Sequence, residues 1–446
     1  MPDSALGWTL PRRHARLAVL VLILLLATTL RLYELNSDSL WGDEIFEARN
    51  VEKGVANTLS TDPLGVRLLV AHVFMQVGRE EFVFRLPYAI MGILAVAAIY
   101  RVGRTLFDGT TAVVGAFLLA ISPFHIEYSQ EARSYSLTVL LVLASLYCLY
   151  RAVQDNHFRH WSGFAVVTAL SLANHPTAAS VAASEIVWAV LVLLGERFFR
   201  TNDERESRSQ SPPQGHHPTG GRSGSLSRFG SSRGVMLAFS SIAGILLALI
   251  FGEHWISYLS GIGIGIGAPS GVGDYVAMRL SHSNLSDFVA GFGAGGGGAL
   301  LLFGVAFAVG IVSCVVRRQW KQLLLAPIWM LPPFLIIPRI TATAPFVPRH
   351  LIFILPVYLL FVARGISGMG ELISRHAGRS PRTKRLVWGA TLVVVLGIVS
   401  WLSVKPVQVC YGEEKRDWRG AAALLRDQVE PDDLIFQLVL WPGYAV

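Results

Sequence analysis

Charge is what this sequence has least of. Only 15% of its 446 residues are Asp, Glu, Lys or Arg, against about 25% in a typical soluble protein. A soluble chain of this length needs a charged surface, so a soluble enzyme is excluded. With 52% apolar residues, so is a disordered protein. Cysteine is scarce as well. Cys148, Cys314 and Cys410 imply neither a disulfide framework nor a Cys-rich metal site. The short alternating segments of a membrane barrel are missing. So is any internal repeat of fixed period, which removes one mark of a transporter.

What is present is a series of long apolar runs, and these predict an all-α polytopic membrane protein. The runs cover about 17–30, 85–100, 110–122, 134–150, 161–173, 176–194, 235–252, 299–316, 322–338, 350–363 and 386–403. The first follows Arg12, Arg13 and Arg16 with no small-residue cleavage site, which predicts an uncleaved first helix. Segment 64–78 has a helical period but is interrupted by Arg67 and His72. If it lies along the outer interface, the inner segments carry 23 of the 38 Lys and Arg and 8 acids, and the outer ones 15 and 21. That asymmetry follows the positive-inside rule. The expectation is eleven spanning helices and one interfacial helix, with the N-terminus inside and the C-terminus outside. The Lys and Arg excess needs no nucleic acid to explain it. Residues 196–233, rich in Ser, Arg, Gly and Pro, are expected to form a disordered cytoplasmic insert. Residues 253–298 form a Gly-rich outer loop, either a mobile lid or a spacer.

The unusual residues fall in the outer loops. Asp43 and Glu44 stand side by side just beyond the first helix, behind Leu40 and Trp41. Paired carboxylates beside a membrane are costly if desolvated, and an apolar anchor fixes their depth; a solvated acidic loop is the plain alternative. Arg133 and Arg349 each open a helix from the outside, where a guanidinium and a helix N-terminus suit an anion. His175 lies in a tight outer turn. Together these residues suggest an anionic lipid headgroup beside a general base.

The order Leu30-Arg31-Leu32-Tyr33, Ser39-Leu40-Trp41-Gly42-Asp43-Glu44, Phe84-Arg85-Leu86-Pro87, Gly103-Arg104-Thr105-Leu106-Phe107, Ser122-Pro123, Ser129 through Tyr135, and Arg349 resembles the GT-C membrane glycosyltransferases. Within them it is similar to the protein mannosyltransferase and aminoarabinose transferase superfamily. The resemblance is dense over roughly 30–195 and sparse afterwards. It implies a transmembrane catalytic domain over 1–403. Residues 404–446, with Asp417-Trp418-Arg419 and Leu434-Ile435-Phe436, resemble the start of the family's extracytoplasmic αβ domain, apparently truncated. The implied donor is a sugar on a polyprenyl phosphate, and the implied acceptor is a lipid, glycan or protein. The implied reaction is a single inverting displacement with no required cofactor, and a divalent metal is compatible with it. The implied catalytic pair is Asp43, as general base, with Glu44 positioning it or a neighbouring group. Arg133, Arg349 and Arg67 would bind the donor phosphate. Trp41, Glu131, Tyr135, His175 and His350 are candidate substrate contacts.

The chain departs from the family where His-Pro-Pro-Leu is usual and Asp62-Pro63-Leu64-Gly65 stands instead; Arg67 can replace a basic contact there. His350 stands where Tyr is usual. Two other classes remain open. A transporter or flippase would use intramembrane acids, of which Glu185 is the clear example. A degenerate scaffold would need no intact acid pair.

Overall fold

The computed structural model describes residues 12–56, 66–78, 80–175, 177–209, 232–245, 298–340, 348–376, 380–412 and 417–428. Among them all regular structure is helical. In chain order the helices are α1 (Arg12–Leu32), α2 (Gly42–Glu52), α3 (Val66–Met75), α4 (Glu81–Leu106), α5 (Gly109–Ala120), α6 (Pro123–Glu127), α7 (Tyr135–Asp155) and α8 (Phe158–Asn174). They continue with α9 (Ala178–Ser209), α10 (Ser232–Ile245), α11 (Gly298–Val316) and α12 (Trp320–Ile340). A 3-10 turn (Pro348–Ile354) leads into α13 (Leu355–His376), α14 (Pro381–Gly412) and α15 (Trp418–Gln428).

Every apolar run of the sequence is helical over its described residues. Seven helices among these residues are long and apolar enough to cross a membrane, and α5 and α10 are shorter apolar helices. At 10 residues, α3 rises only ~15 Å, half of what a span needs. Some boundaries differ from expectation. Residues 196–209 continue α9 as helix instead of opening a disordered insert. Their Glu and Arg residues are good helix formers, so composition alone misjudged them. Residues 210–231, the Gly-rich loop up to residue 297 and Leu434-Ile435-Phe436 lie outside the described residues. The division at residue 403 falls inside α14, which runs on to Gly412 through Pro406. Only the helical part of the expected αβ fragment, α15, is described.

The bundle is built around α13, whose membrane-crossing stretch is 94% buried, against 11% for α14 and 17% for α1. It packs on α5, α11 and α14. The contact with α11 is backbone on backbone. A Cβ on Gly365 would collide with Ala306 O, and one on Gly310 with Phe361 O. Ala306 and Gly310 lie four apart on one face, the small-residue spacing that lets membrane helices approach closely. Capping sets the register at the ends. Asp108 caps α5, accepting from Thr110 N and Thr111 N at 2.9 Å each and from the buried Arg364 at 2.6 Å. Asn156 ends α7 in the left-handed conformation (φ 54°), which Asn tolerates better than most residues.

With 12 residues, α5 stops short, and the irregular stretch after it is buried in protein, where non-helical backbone is allowed at membrane depth. The exposed carbonyls need a donor, and Arg31 supplies it. Its Nη1 donates to Ala27 O (3.2 Å) and Ala120 O (3.1 Å), and its Nη2 to Leu119 O (3.1 Å) and His125 Nδ1 (2.8 Å). A cation at a helix C-terminus is favoured by the dipole, so Arg31 joins the end of α1 to the end of α5.

The α11–α13 contact yields a test by thermal unfolding in detergent. Gly365→Ala should destabilise by about 1–3 kcal/mol through overpacking. Gly397→Ala, with nothing within 4 Å of the added carbon, should stay within about 0.5 kcal/mol of wild type.

Candidate active site

Helix α2 lies in the first outer loop and carries the Asp43-Glu44 pair. Its acids sit in the first turn, where the dipole favours them. Its buried face is Glu44, Glu47 and Val51, spaced i, i+3 and i+7. Val51 joins Leu68, Ala71, Phe84, Tyr88 and Ala132 in a small apolar cluster that seats α2 on α3 and α4.

Glu44 is fully buried. One oxygen accepts from Arg85 Nε (2.9 Å) and Ala132 N (2.8 Å), the other from Arg85 Nη2 (2.7 Å) and Trp41 N (3.2 Å). Arg85 has donors to spare after this bidentate pair and uses them on Leu35 O (3.2 Å), Asp38 O (2.8 Å) and Ser39 O (3.1 Å). All five guanidinium protons and about four carboxylate lone-pair sites are thus engaged. Glu44 is a positioning residue: it fixes the loop 35–39, the start of α2 and the loop 131–134 to α4. The C-terminal α15 rests on the same loop, with Trp418 N donating to Ser39 Oγ (3.0 Å) and Arg419 to Ser37 O (3.0 Å).

Asp43 faces the other way. Its carboxylate is 24% exposed and lies 3.5 Å from Arg133 Nη2. Arg133 Nη1 is 2.9 Å from Glu47 Oε1, which also takes Arg67 Nε at 3.2 Å. Arg349 stacks over the ring of Trp41, 5.5 Å from its centroid, a cation–π geometry. Three N–H groups here are buried without a hydrogen-bond acceptor among the described residues: Trp41 Nε1, Arg133 Nε and Arg349 Nε. Leaving buried donors unmatched is costly, and three in one place mark a site shaped for an acceptor-rich anion.

Aromatic and imidazole rings wall the site. Tyr128 contacts Tyr135 edge to face (5.2 Å), Tyr135 lies 5.7 Å from His175, and His175 6.4 Å from His350. His175 Nδ1 accepts from Thr177 N (3.3 Å), which leaves Nε2 to carry the proton of the neutral ring. Burial, followed by His350 and the three arginines, holds the His175 pKa well below the usual histidine value. Burial and then Arg31 do the same for His125, whose Nδ1 accepts a hydrogen bond from Arg31. Burial first, then Glu127 and Glu131, pushes the Tyr128 phenol well above its usual range.

The structure therefore gathers Trp41, Asp43, Glu44, Arg67, Arg133, Tyr135, His175, Arg349 and His350 at one end of the bundle. Glu131, 5% exposed, lies in the loop between α6 and α7, where its charge reaches Tyr128. Asp62–Gly65 lie outside the described residues. Sequence reasoning missed Glu47; the signal was its spacing of four from Asp43, one turn along the same face. It also left Arg31 and Arg85 as motif letters without a role. Among the described residues no three His, Cys, Asp or Glu side chains are arranged to hold a metal ion. Glu185, the candidate for a transport route, is buried between α7, α8 and α9, where Ser145 Oγ donates to it at 2.6 Å.

The described residues define an all-helical polytopic membrane protein, with seven helices long and apolar enough to span. Residues 62–203 of the chain match the model of the family described as dolichyl-phosphate-mannose-protein mannosyltransferase. Its fold is similar to that of the Archaeoglobus fulgidus oligosaccharyltransferase AglB in complex with an inhibitory peptide and a dolichol-phosphate, with TM-score 0.55 and 14% identity, covering 96% of this chain and 59% of that one. It is also similar to ArnT from Cupriavidus metallidurans, bound to undecaprenyl phosphate (TM-score 0.53) and in the apo state (0.55), at 12% identity over 94% of this chain and 81% of that one. The chain thus spans about three fifths of the archaeal enzyme's length. No curated protein matches it.

Two outcomes follow for stability. Arg85→Met strands the buried carboxylate of Glu44 and should cost about 3–5 kcal/mol, read by thermal unfolding. His125 and His175 are held neutral in the folded protein, so the unfolded chain takes up protons below pH ~6.5 that the folded one does not. Stability should be complete above that pH and fall as pH is lowered, by up to about 1.4 kcal/mol per pH unit for each histidine. The slope between pH 7 and 5 should be shallower in His175→Gln; an unchanged slope would contradict the assignment.

Proposed function

We propose that the protein transfers a sugar from a polyprenyl-phosphate donor to a hydroxyl or amine of a lipid, glycan or protein acceptor. The transfer takes place on the extracytoplasmic face, by a single inverting displacement. Asp43 takes the proton of the acceptor group, whose heteroatom attacks the anomeric carbon as the bond to the phosphate oxygen breaks. Positive charge develops on the sugar, and the departing lipid phosphate gains one negative charge. Arg133, Arg349 and Arg67 meet that charge where it forms. Trp41, Tyr135, His175 and His350 enclose the sugar or acceptor, with Glu131 behind them. No step requires a cofactor.

The observation that supports this reading is the partly exposed carboxylate of Asp43 beside three buried N–H donors, on Trp41, Arg133 and Arg349, that find no acceptor among the described residues. Nucleophile activation on one side and anion stabilisation on the other is the pair of groups that sugar transfer from a phosphate needs. A general base contributes about 10²–10⁴ in rate. The lipid phosphates held by AglB and ArnT have the same anionic head. With the N-terminus in the cytoplasm of a plasma or inner membrane and the basic segments gathered inside, this end of the bundle lies outside.

The test is mass spectrometry of membrane lipids from host cells lacking the protein, complemented with wild type or Asp43→Asn. A polyprenyl-phosphate sugar should accumulate without the protein, clear with wild type, and persist with the variant, whose rate should fall by at least ~100-fold. Equal clearance by both would remove Asp43 from the reaction.

A further inference from the structure

Glu47 is the acid that the reaction above leaves unused. It is 3% exposed, yet its charge is spent on one oxygen. Oε1 takes both Arg133 Nη1 (2.9 Å) and Arg67 Nε (3.2 Å), while Oε2 is buried with no hydrogen-bond partner among the described residues. Buried ion pairs stabilise only when their remaining lone pairs are satisfied, and apolar replacements often do as well. This arrangement is therefore poor as a stabilising device. Its effect is to draw Arg67, from α3, and Arg133, from the loop before α7, onto one point beside Asp43. It also sets a fixed negative charge behind the two guanidiniums that would meet a phosphate.

We infer that Glu47 is a positioning residue that pairs Arg67 with Arg133 and competes with the lipid phosphate for them, so that the spent lipid phosphate is released. The inference rests on the donor reading above. Before transfer the bound head is a phosphodiester with one charge. After transfer it is a monoester with a second ionisable oxygen, which binds the arginines more strongly. Without an opposing carboxylate the product would stay. With Glu47 in place, Arg133 has a carboxylate to return to even while Asp43 still holds the acceptor's proton.

The experiment measures the affinity of the protein in nanodiscs for undecaprenyl phosphate, together with clearance of the accumulated lipid-linked sugar in cells. Glu47→Gln should bind undecaprenyl phosphate roughly tenfold more tightly than wild type, a coupling of ordinary size, and should clear the donor more slowly. Arg133→Ala should bind it more weakly. Glu47→Asp keeps the charge and should stay within about threefold of wild type. A residue of purely structural importance would lower clearance and melting temperature without tightening binding. Unchanged or weaker binding by Glu47→Gln, or equal tightening by Glu47→Asp, overturns the inference while a weakened Arg133→Ala leaves the donor reading standing. If wild type and Arg133→Ala both fail to bind, the donor reading and the inference fall together.

Discussion

The bidentate pair between Glu44 and Arg85 is the contact on which the end of the bundle bearing Asp43 depends. A guanidinium and a carboxylate taken out of water cost several kcal/mol each, and repay it only when every donor and lone pair is matched. Here they are matched: two bonds join the ions, three more run from Arg85 to the loop 35–39, and two run into Glu44 from the backbone of Trp41 and Ala132. One pair thereby fixes three chain segments that have little else in common. With Glu44 locked, its neighbour Asp43 is turned to the opposite side of the helix start, toward Arg133. The adjacent acids thus divide the work, one holding the frame and the other facing the open side.

The same economy recurs at the end of α5. The helix is too short to span, and its last carbonyls would be stranded at membrane depth. Arg31 covers them and reaches His125. The irregular turn that follows carries Glu131 and Arg133, so a cation buried for the sake of backbone carbonyls is what lets a reactive loop exist there. From the other side of the site, the 3-10 turn that leads into α13 carries Arg349 over Trp41.

Much of this was legible in the residues. Apolar period located the apolar helices, and Asp43-Glu44 behind Leu40-Trp41 singled out the candidate site before any geometry. Arg133 and Arg349 were found because each opens a helix. The rest was hidden for physical reasons. Helix α2 has an acidic buried face, so hydropathy gives it no amphipathic signature. Glu47 becomes meaningful only once that helix exists and sets it one turn from Asp43. Arg85 and Arg31 act on backbone carbonyls brought from distant segments, and local sequence carries no trace of those partners. Helix propensity in Glu- and Arg-rich 196–209 lost, in the sequence reading, to the disorder signal of the segment beyond it.

The central claim is that the end of the bundle bearing Asp43 binds the phosphate of a polyprenyl lipid. The most direct measurement is a cryo-electron microscopy structure of the protein in nanodiscs with undecaprenyl phosphate. The phosphate should lie in hydrogen-bond contact with Arg133 and Arg349, on the Asp43 side of Trp41. A phosphate bound elsewhere, such as beside Arg364 at the opposite end of α5, with the Asp43 end empty, would contradict it.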